Sequence, residues 1–352
     1  MEYRRLGNSG LKVSIMGMGG TNFGEKIGEK ESIQVIQHAL DSGINFIDTA
    51  NKYGEGLSEE YIGKAVKGRR DEVIIATKFG LPMFDLPNDG GGSRYNIMNA
   101  VDGSLKRLGT DYIDLYYIHW PDEETPVEET LRALDTLVKS GKVRYIGCSN
   151  FPAWQLCEAI WVSRVNLLEP FIVVEARYNI LDRNIESELV PFCRKYGIGI
   201  IPWSPLAGGF LTGKYQKGQS PFGSGPGRPL SRIQDSNAGT GKKKRAPLPP
   251  MPSWFKMEPT YTDANFEKVE KLKQYAADHG HTVEELSLAW LLGHNYISSV
   301  IAGARTTEQV DSHIKAAAWK LTPGEMAEIE ELISDRVLPF GSSISSKASS
   351  QF

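Results

Sequence analysis

Eight times along the chain a short, almost wholly apolar run ends in polar or small residues, and this repeated unit limits the fold more than any other feature. The runs are 13–19, 45–49, 73–78, 112–120, 143–147, 171–174, 199–203 and 299–302. Helical patterns follow the first four at 30–41, 58–66, 96–108 and 127–139, the fifth and sixth from 152 and 185, and the eighth at 307–317. Runs that are continuously apolar, with no in/out alternation, suit a parallel sheet covered on both faces. Eight such units predict the α/β class and a closed (β/α)8 TIM barrel. A doubly wound sheet is the competing architecture, but its Gly-x-Gly-x-x-Gly turn is missing, since Gly17-Met18-Gly19-Gly20 has the wrong spacing. A length of 352 residues suits one such barrel, assigned to residues 1–335.

Three additions decorate the repeat. Tyr3-Arg4-Arg5-Leu6 and Leu11-Lys12-Val13, separated by Gly-Asn-Ser-Gly, predict an N-terminal β-hairpin. The seventh run is parted from its helix by residues 216–262, rich in Gly, Pro and Ser, which predict a long loop insertion carrying the basic run Lys242-Lys243-Lys244-Arg245. A last helix is expected from Thr322-Pro323-Gly324-Glu325 to about 334, followed by a disordered tail over 336–352.

A composition of 40% hydrophobic and 24% charged residues supports a substantial core. The net charge of -3 provides no global attraction to nucleic acid or to an acidic membrane, so a small-molecule partner is expected. Cys148, Cys157 and Cys193 form neither a disulfide framework nor a metal-type spacing. With no signal-peptide pattern and no bilayer-length apolar run, a cytoplasmic location is expected.

Function in such a barrel gathers where the strands end. There the sequence places Asp48 and, five residues on, Tyr53 after the second strand, Lys78 at the end of the third and His119 near the end of the fourth. Each alone is commonly structural, and their coincidence at equivalent positions is what points to a site. A phenol with a pKa near 10 is a poor proton donor at neutrality, and a nearby ammonium pulls it down. Lys78 is expected to supply that field, Asp48 to hold Lys78 charged, and His119 to donate to a substrate oxygen. This set suits protonation of an alkoxide as it forms.

These residues, with Ala76-Thr77-Lys78, Ile118-His119-Trp120-Pro121-Asp122, Gly147-Cys148-Ser149-Asn150-Phe151, Tyr178-Asn179-Ile180-Leu181-Asp182-Arg183, Trp203 to Gly209 and Ala302 to Gln309, resemble the aldo-keto reductases, in register over roughly residues 1–333. The resemblance implies a barrel using NADPH or NADH, with Asp48, Tyr53, Lys78 and His119 as its catalytic tetrad. It implies that Ser149 and Asn150 hold the nicotinamide carboxamide and that the ring stacks on Trp203. Ser204, Pro205, Leu206 and Gly208 would cradle the pyrophosphate, with Gly20, Thr21, Asp48, Lys214 and Gly303 also on the cofactor side. Arg305 stands where the family meets the adenosine 2′-phosphate, which favours NADP over NAD. Gln309 is the implied adenine partner, and no metal is implied.

Two positions depart from the family pattern. Glu175 replaces a Gln that pairs with the carboxamide; an ionised carboxylate accepts but cannot donate there, and its charge is expected to favour the oxidised cofactor. His313 replaces an Asn that contacts adenine, and a surface role for it is the alternative. The 242–245 run is read either as a cover for cofactor phosphates or as a solvated loop, and Phe222, Trp254 and Phe255 as walls of a substrate pocket. The expected activity is interconversion of a carbonyl (aldehyde, ketone or sugar) and an alcohol. The alternative is a cofactor-binding regulatory subunit, because Tyr3 to Gly7 and Ser9 to Val13 also resemble the β subunits of potassium channels.

Overall fold

The computed structural model describes residues 1–217, 245–250, 252, 255 and 260–334. The hairpin strands β1 (Tyr3–Arg5) and β2 (Lys12–Ser14) pair antiparallel. Eight parallel strands follow: β3 (Met16–Gly19), β4 (Phe46–Asp48), β5 (Ile74–Phe79), β6 (Ile113–Ile118), β7 (Val143–Ser149), β8 (Val173–Arg177), β9 (Gly199–Trp203) and β10 (Val300–Ala302). They run in the order β10-β3-β4-β5-β6-β7-β8-β9. A parallel bridge between Ile200 and Ile297, with the Ser298 amide donating to the Ile200 carbonyl at 3.0 Å, brings the ends together. The fold is therefore the expected (β/α)8 barrel with an N-terminal hairpin.

The helices are α1 (Glu29–Asp41), α2 (Leu57–Ala65), α3 (Arg94–Leu108), α4 (Val127–Lys139), α5 (Ala153–Asn166), α6 (Leu189–Tyr196), α7 (Asp263–Asp278), α8 (Val283–Gly293), α9 (Thr307–Ala318) and α10 (Pro323–Ile333). Two helices, α7 and α8, stand between β9 and β10, where the sequence reading placed one. Residues 335–352 and most of the expected 216–262 loop lie outside the described residues.

Two apolar cores share the strands. The larger fills the layer between strands and helices and takes Ile47, Ile75, Phe79, Tyr116 and Ile118. The smaller lies inside the barrel and joins Phe46, Ala76, Leu115, Tyr117, Val173, Ile201 and Ile301 to the hairpin residues Leu6 and Val13. Because strand side chains alternate faces, the next inward position on each strand is two residues further on. Those positions are Asp48 after Phe46, Lys78 after Ala76, His119 after Tyr117, Glu175 after Val173 and Trp203 after Ile201. The hairpin thus seals one end of the lumen, and the polar layer opens toward the other.

Candidate active site

The inward layer brings the sequence-predicted tetrad together. Lys78 is fully buried, and its Nζ donates to Asp48 Oδ1 and, at 3.1 Å, to the Thr49 carbonyl. The same Nζ lies 5.1 Å from the centre of the Tyr53 ring and 5.7 Å from that of Tyr117. Tyr53 meets His119 edge to face, with ring centres 5.7 Å apart. Outward-facing residues of the same segments anchor the layer from behind. Thr77 donates to buried Glu59 on α2 at 2.6 Å, and Glu59 is held in turn by Arg107 on α3 at 2.6 Å.

Electrostatics refine the expected roles. Burial opposes the Lys78 charge, but Asp48 and Glu175 outweigh it and hold the ammonium protonated. Burial and Lys78 keep His119 far below its usual pKa, so the imidazole is neutral at pH 7. Its Nδ1 is buried without a hydrogen-bond partner. For Tyr53 the expectation of a lowered pKa does not hold. Burial, with Asp48 and Glu175, outweighs the pull of Lys78 and of a Thr21 hydrogen bond, and the phenol is pushed up to about 12.

Glu175 is not an isolated charge facing the mouth. Its Oε2 lies 3.1 Å from Lys78 Nζ, and the residue is 3% exposed. It completes a buried group of two carboxyls around one ammonium.

Beyond the tetrad, Asn150 is central. It adopts a left-handed backbone with φ 62°, and its Nδ2 donates to the His119 carbonyl and the Ser149 hydroxyl, each at 3.0 Å. Its Oδ1 accepts from Trp203 Nε1 at 3.0 Å. One amide therefore ties together the ends of β6, β7 and β9. After β9, Ser204 and Ala207 also have positive φ, and Gly208 and Gly209 continue the bend. Such strain commonly clusters at ligand sites. The Ser204 hydroxyl accepts from the Gly208 amide at 3.3 Å, and the space beside Gly208 is open. Pro205 and Leu206 lead into this turn, where the Leu206 carbonyl accepts from the Gly209 and Leu211 amides.

Across the mouth, Gly20 packs so closely that a Cβ would lie 2.8 Å from the Asp48 carbonyl. Thr21 and Asn22 continue that turn, and Asn22 donates to the Ala304 carbonyl beside Gly303. Lys214 and Arg305 are exposed and, among the described residues, take part in no ion pair. Gln309 Oε1 accepts from the Arg305 amide at 2.8 Å. His313 departs from the surface reading. It is 2% exposed and turned into the seam between α8 and α9, its Nε2 3.5 Å from Glu284.

Of the basic run, Arg245 is described and pairs with Glu55 at 2.7 Å beside the Tyr53 turn. Phe255 packs edge to face on Trp120 with ring centres 4.7 Å apart. Phe222, Trp254 and Lys242 to Lys244 lie outside the described residues. Sequence reasoning missed Tyr117, the ring beside Lys78, although its place two residues before His119 on the same strand face was a usable signal. It also missed the joining role of Asn150, which depends on three separate strands.

The residues around the mouth fit a nicotinamide dinucleotide. They offer a tight turn of small residues at 204–209 with open space beside Gly208, a close glycine at Gly20, exposed cations at Lys214 and Arg305, and a buried, unpartnered His119 Nδ1.

Residues 15–334 match the model of the aldo/keto reductase family. An uncharacterised oxidoreductase of Bacillus subtilis is 39% identical over 333 residues, covering 91% of this chain and 92% of that protein. A probable voltage-gated potassium channel subunit beta of Arabidopsis thaliana is 37% identical, covering 96% of this chain and 98% of its own. An L-glyceraldehyde 3-phosphate reductase of Escherichia coli is 33% identical, covering 95% and 93%. With its barrel, its mouth and these relatives, the chain belongs to the aldo/keto reductase family.

Proposed function

We propose that this protein is a cytoplasmic, NADP(H)-dependent oxidoreductase that interconverts a carbonyl compound and an alcohol. The observation that carries this reading is the meeting of Tyr53, Lys78, Asp48 and His119 at one barrel mouth. When bound, the nicotinamide supplies or takes up the hydride. The neutral His119 imidazole donates a hydrogen bond to the substrate oxygen and orients it. Tyr53 gives the proton to that oxygen during reduction and takes it back during oxidation. Lys78 stabilises the phenolate left behind, and Asp48 keeps Lys78 in place.

Trp203, locked by Asn150, offers the face for the nicotinamide ring, with Ser149 and Glu175 beside it. Residues 204–208, Lys214 and Gly303 suit the pyrophosphate, and Arg305 with Gln309 suits the phosphorylated adenosine. His313, enclosed by the α8–α9 seam, has almost no surface to offer adenine.

Replacing Tyr53 by Phe should preserve NADP+ binding and lower turnover by roughly 10²-fold or more. Full turnover in Tyr53→Phe would remove the phenol from the mechanism. The named relatives support small aldehydes, including glyceraldehyde 3-phosphate, as the first substrates to try. Similarity to a channel β subunit supports a second reading, a cofactor-binding regulatory subunit with little turnover. Nicotinamide absorbance followed with a panel of aldehydes, ketones and sugars separates the two. Tight cofactor binding with no turnover on any of them favours the regulator.

A further inference from the structure

Asp48 on β4 and Glu175 on β8 approach each other across the lumen and flank the single ammonium of Lys78 on β5. All three are almost completely buried. Asp48 Oδ2 is buried with no hydrogen-bond partner, Glu175 Oε2 meets Lys78 Nζ at 3.1 Å, and both carboxyls therefore bear on the same ammonium. The other groups facing the pair are Tyr53 from the turn after β4, and Tyr117 and His119 from β6. At neutral pH these contribute no positive charge. Two ionised carboxylates and one ammonium would leave a buried net charge of minus one and an unpartnered acceptor, Asp48 Oδ2, a costly arrangement.

We propose that Asp48 and Glu175 share one proton at neutral pH, held as a carboxyl–carboxylate hydrogen bond against Lys78, so that the buried group is electrically neutral. A single proton between the carboxyls, one acting as donor and the other as acceptor, gives Asp48 Oδ2 the partner it otherwise lacks. It belongs to the pair and not to either residue. The raised pKa values of Asp48 and Glu175, caused first by burial, agree with this arrangement.

The proton changes what Glu175 is. While the proton is shared, Glu175 is part of a neutral group with Asp48 and Lys78 that imposes no net charge on the mouth. On the cofactor-binding reading above, on which this consequence rests, a cationic oxidised nicotinamide ring favours release of the proton, whereas the neutral reduced ring leaves it in place. Glu175 is thus a positioning and charge-setting residue that makes the choice between cofactor forms depend on pH.

The test is infrared spectroscopy of the full chain at pH 7, without cofactor, using isotope-labelled Asp and Glu to identify the carbonyl stretch of a protonated carboxylic acid. The wild type should show one such buried band, and Glu175→Gln and Asp48→Asn should each lose it. A wild type without the band, or a band unchanged in Glu175→Gln, overturns the proposal. Glu175→Gln is nearly isosteric and is the decisive variant if Asp48→Asn does not fold.

A second measurement is unfolding stability against pH. The folded wild type holds a proton that unfolded Glu releases above about pH 4.3, so its stability falls with rising pH by the slope of one proton relative to Glu175→Gln. Parallel curves would overturn the proposal. Calorimetry in two buffers reads the cofactor link, with more protons released on binding NADP+ than NADPH in the wild type and equal numbers in Glu175→Gln. Equal release in the wild type would overturn that link. Infrared and unfolding require no turnover, so the shared proton can fail while the oxidoreductase reading stands, and the reverse.

Discussion

Tyr53 is where burial and charge compete most directly. Lys78 approaches it closely, yet the phenol is held at about 12 because the same barrel interior that concentrates the Lys78 field also penalises phenolate and contains two acids. Phenolate absorbance in wild type minus Tyr53→Phe should therefore titrate near 12; a step between pH 7 and 9 would mean that Lys78 dominates. His119 shows the opposite sign. Its folded pKa lies below the unfolded value of about 6.5, so its contribution to stability is full above that pH and is lost as pH falls. Wild type should lose up to about 1.4 kcal/mol per pH unit below 6 relative to His119→Asn in denaturant titrations, a slope of one proton. The residue types at the mouth were legible because apolar runs ended in acid, amine and imidazole at matching places. Their mutual charge balance was not, because Asp48 and Glu175 meet across a lumen whose width no spacing reveals.

Elements were legible in proportion to how one-sided they are. The amphipathic α4 and the apolar β9 have the limits that the pattern predicts, 127–139 and 199–203. The α8 helix was not separated from α7 because nine of its eleven residues are buried and it lacks a polar face to announce it. Its start is nonetheless marked by a capping box between Thr282 and Glu285, and α10 uses the same device with Thr322 and Glu325. Thr322→Ala should cost about 1 kcal/mol in urea unfolding, and an unchanged midpoint would mean that α10 is held only by packing. Packing is less forgiving between α2 and α3. A Cβ on Gly63 would stand 2.3 Å from the Leu108 carbonyl, so Gly63→Ala should destabilise by roughly 1–3 kcal/mol, more than its helix propensity would restore.

At the scale of the molecule, repetition made the barrel legible but left its closure unseen. The hairpin could be predicted from a turn signal, whereas its destination depends on contacts made nearly 300 residues away. Arg4 donates through Nη1 to the Ile297 carbonyl and through Nη2 to the Leu292 carbonyl, each at 3.0 Å, and so joins the hairpin to the segment that closes the ring. Leu6, with no exposed surface, enters the lumen beneath this tie. Leu6→Ala should cost about 2–5 kcal/mol and lower the unfolding midpoint without altering residues at the mouth. A negligible change would show that the plug is replaceable.

The plug also governs traffic. A lumen sealed at the hairpin end is a blind well, and a well is filled and emptied through one opening, so whatever rests deeper must arrive before its companion and depart after it. Under the proposed function, substrate in excess should slow the escape of the nicotinamide beneath it. Stopped-flow fluorescence of cofactor release would show this as a rate that falls with substrate concentration.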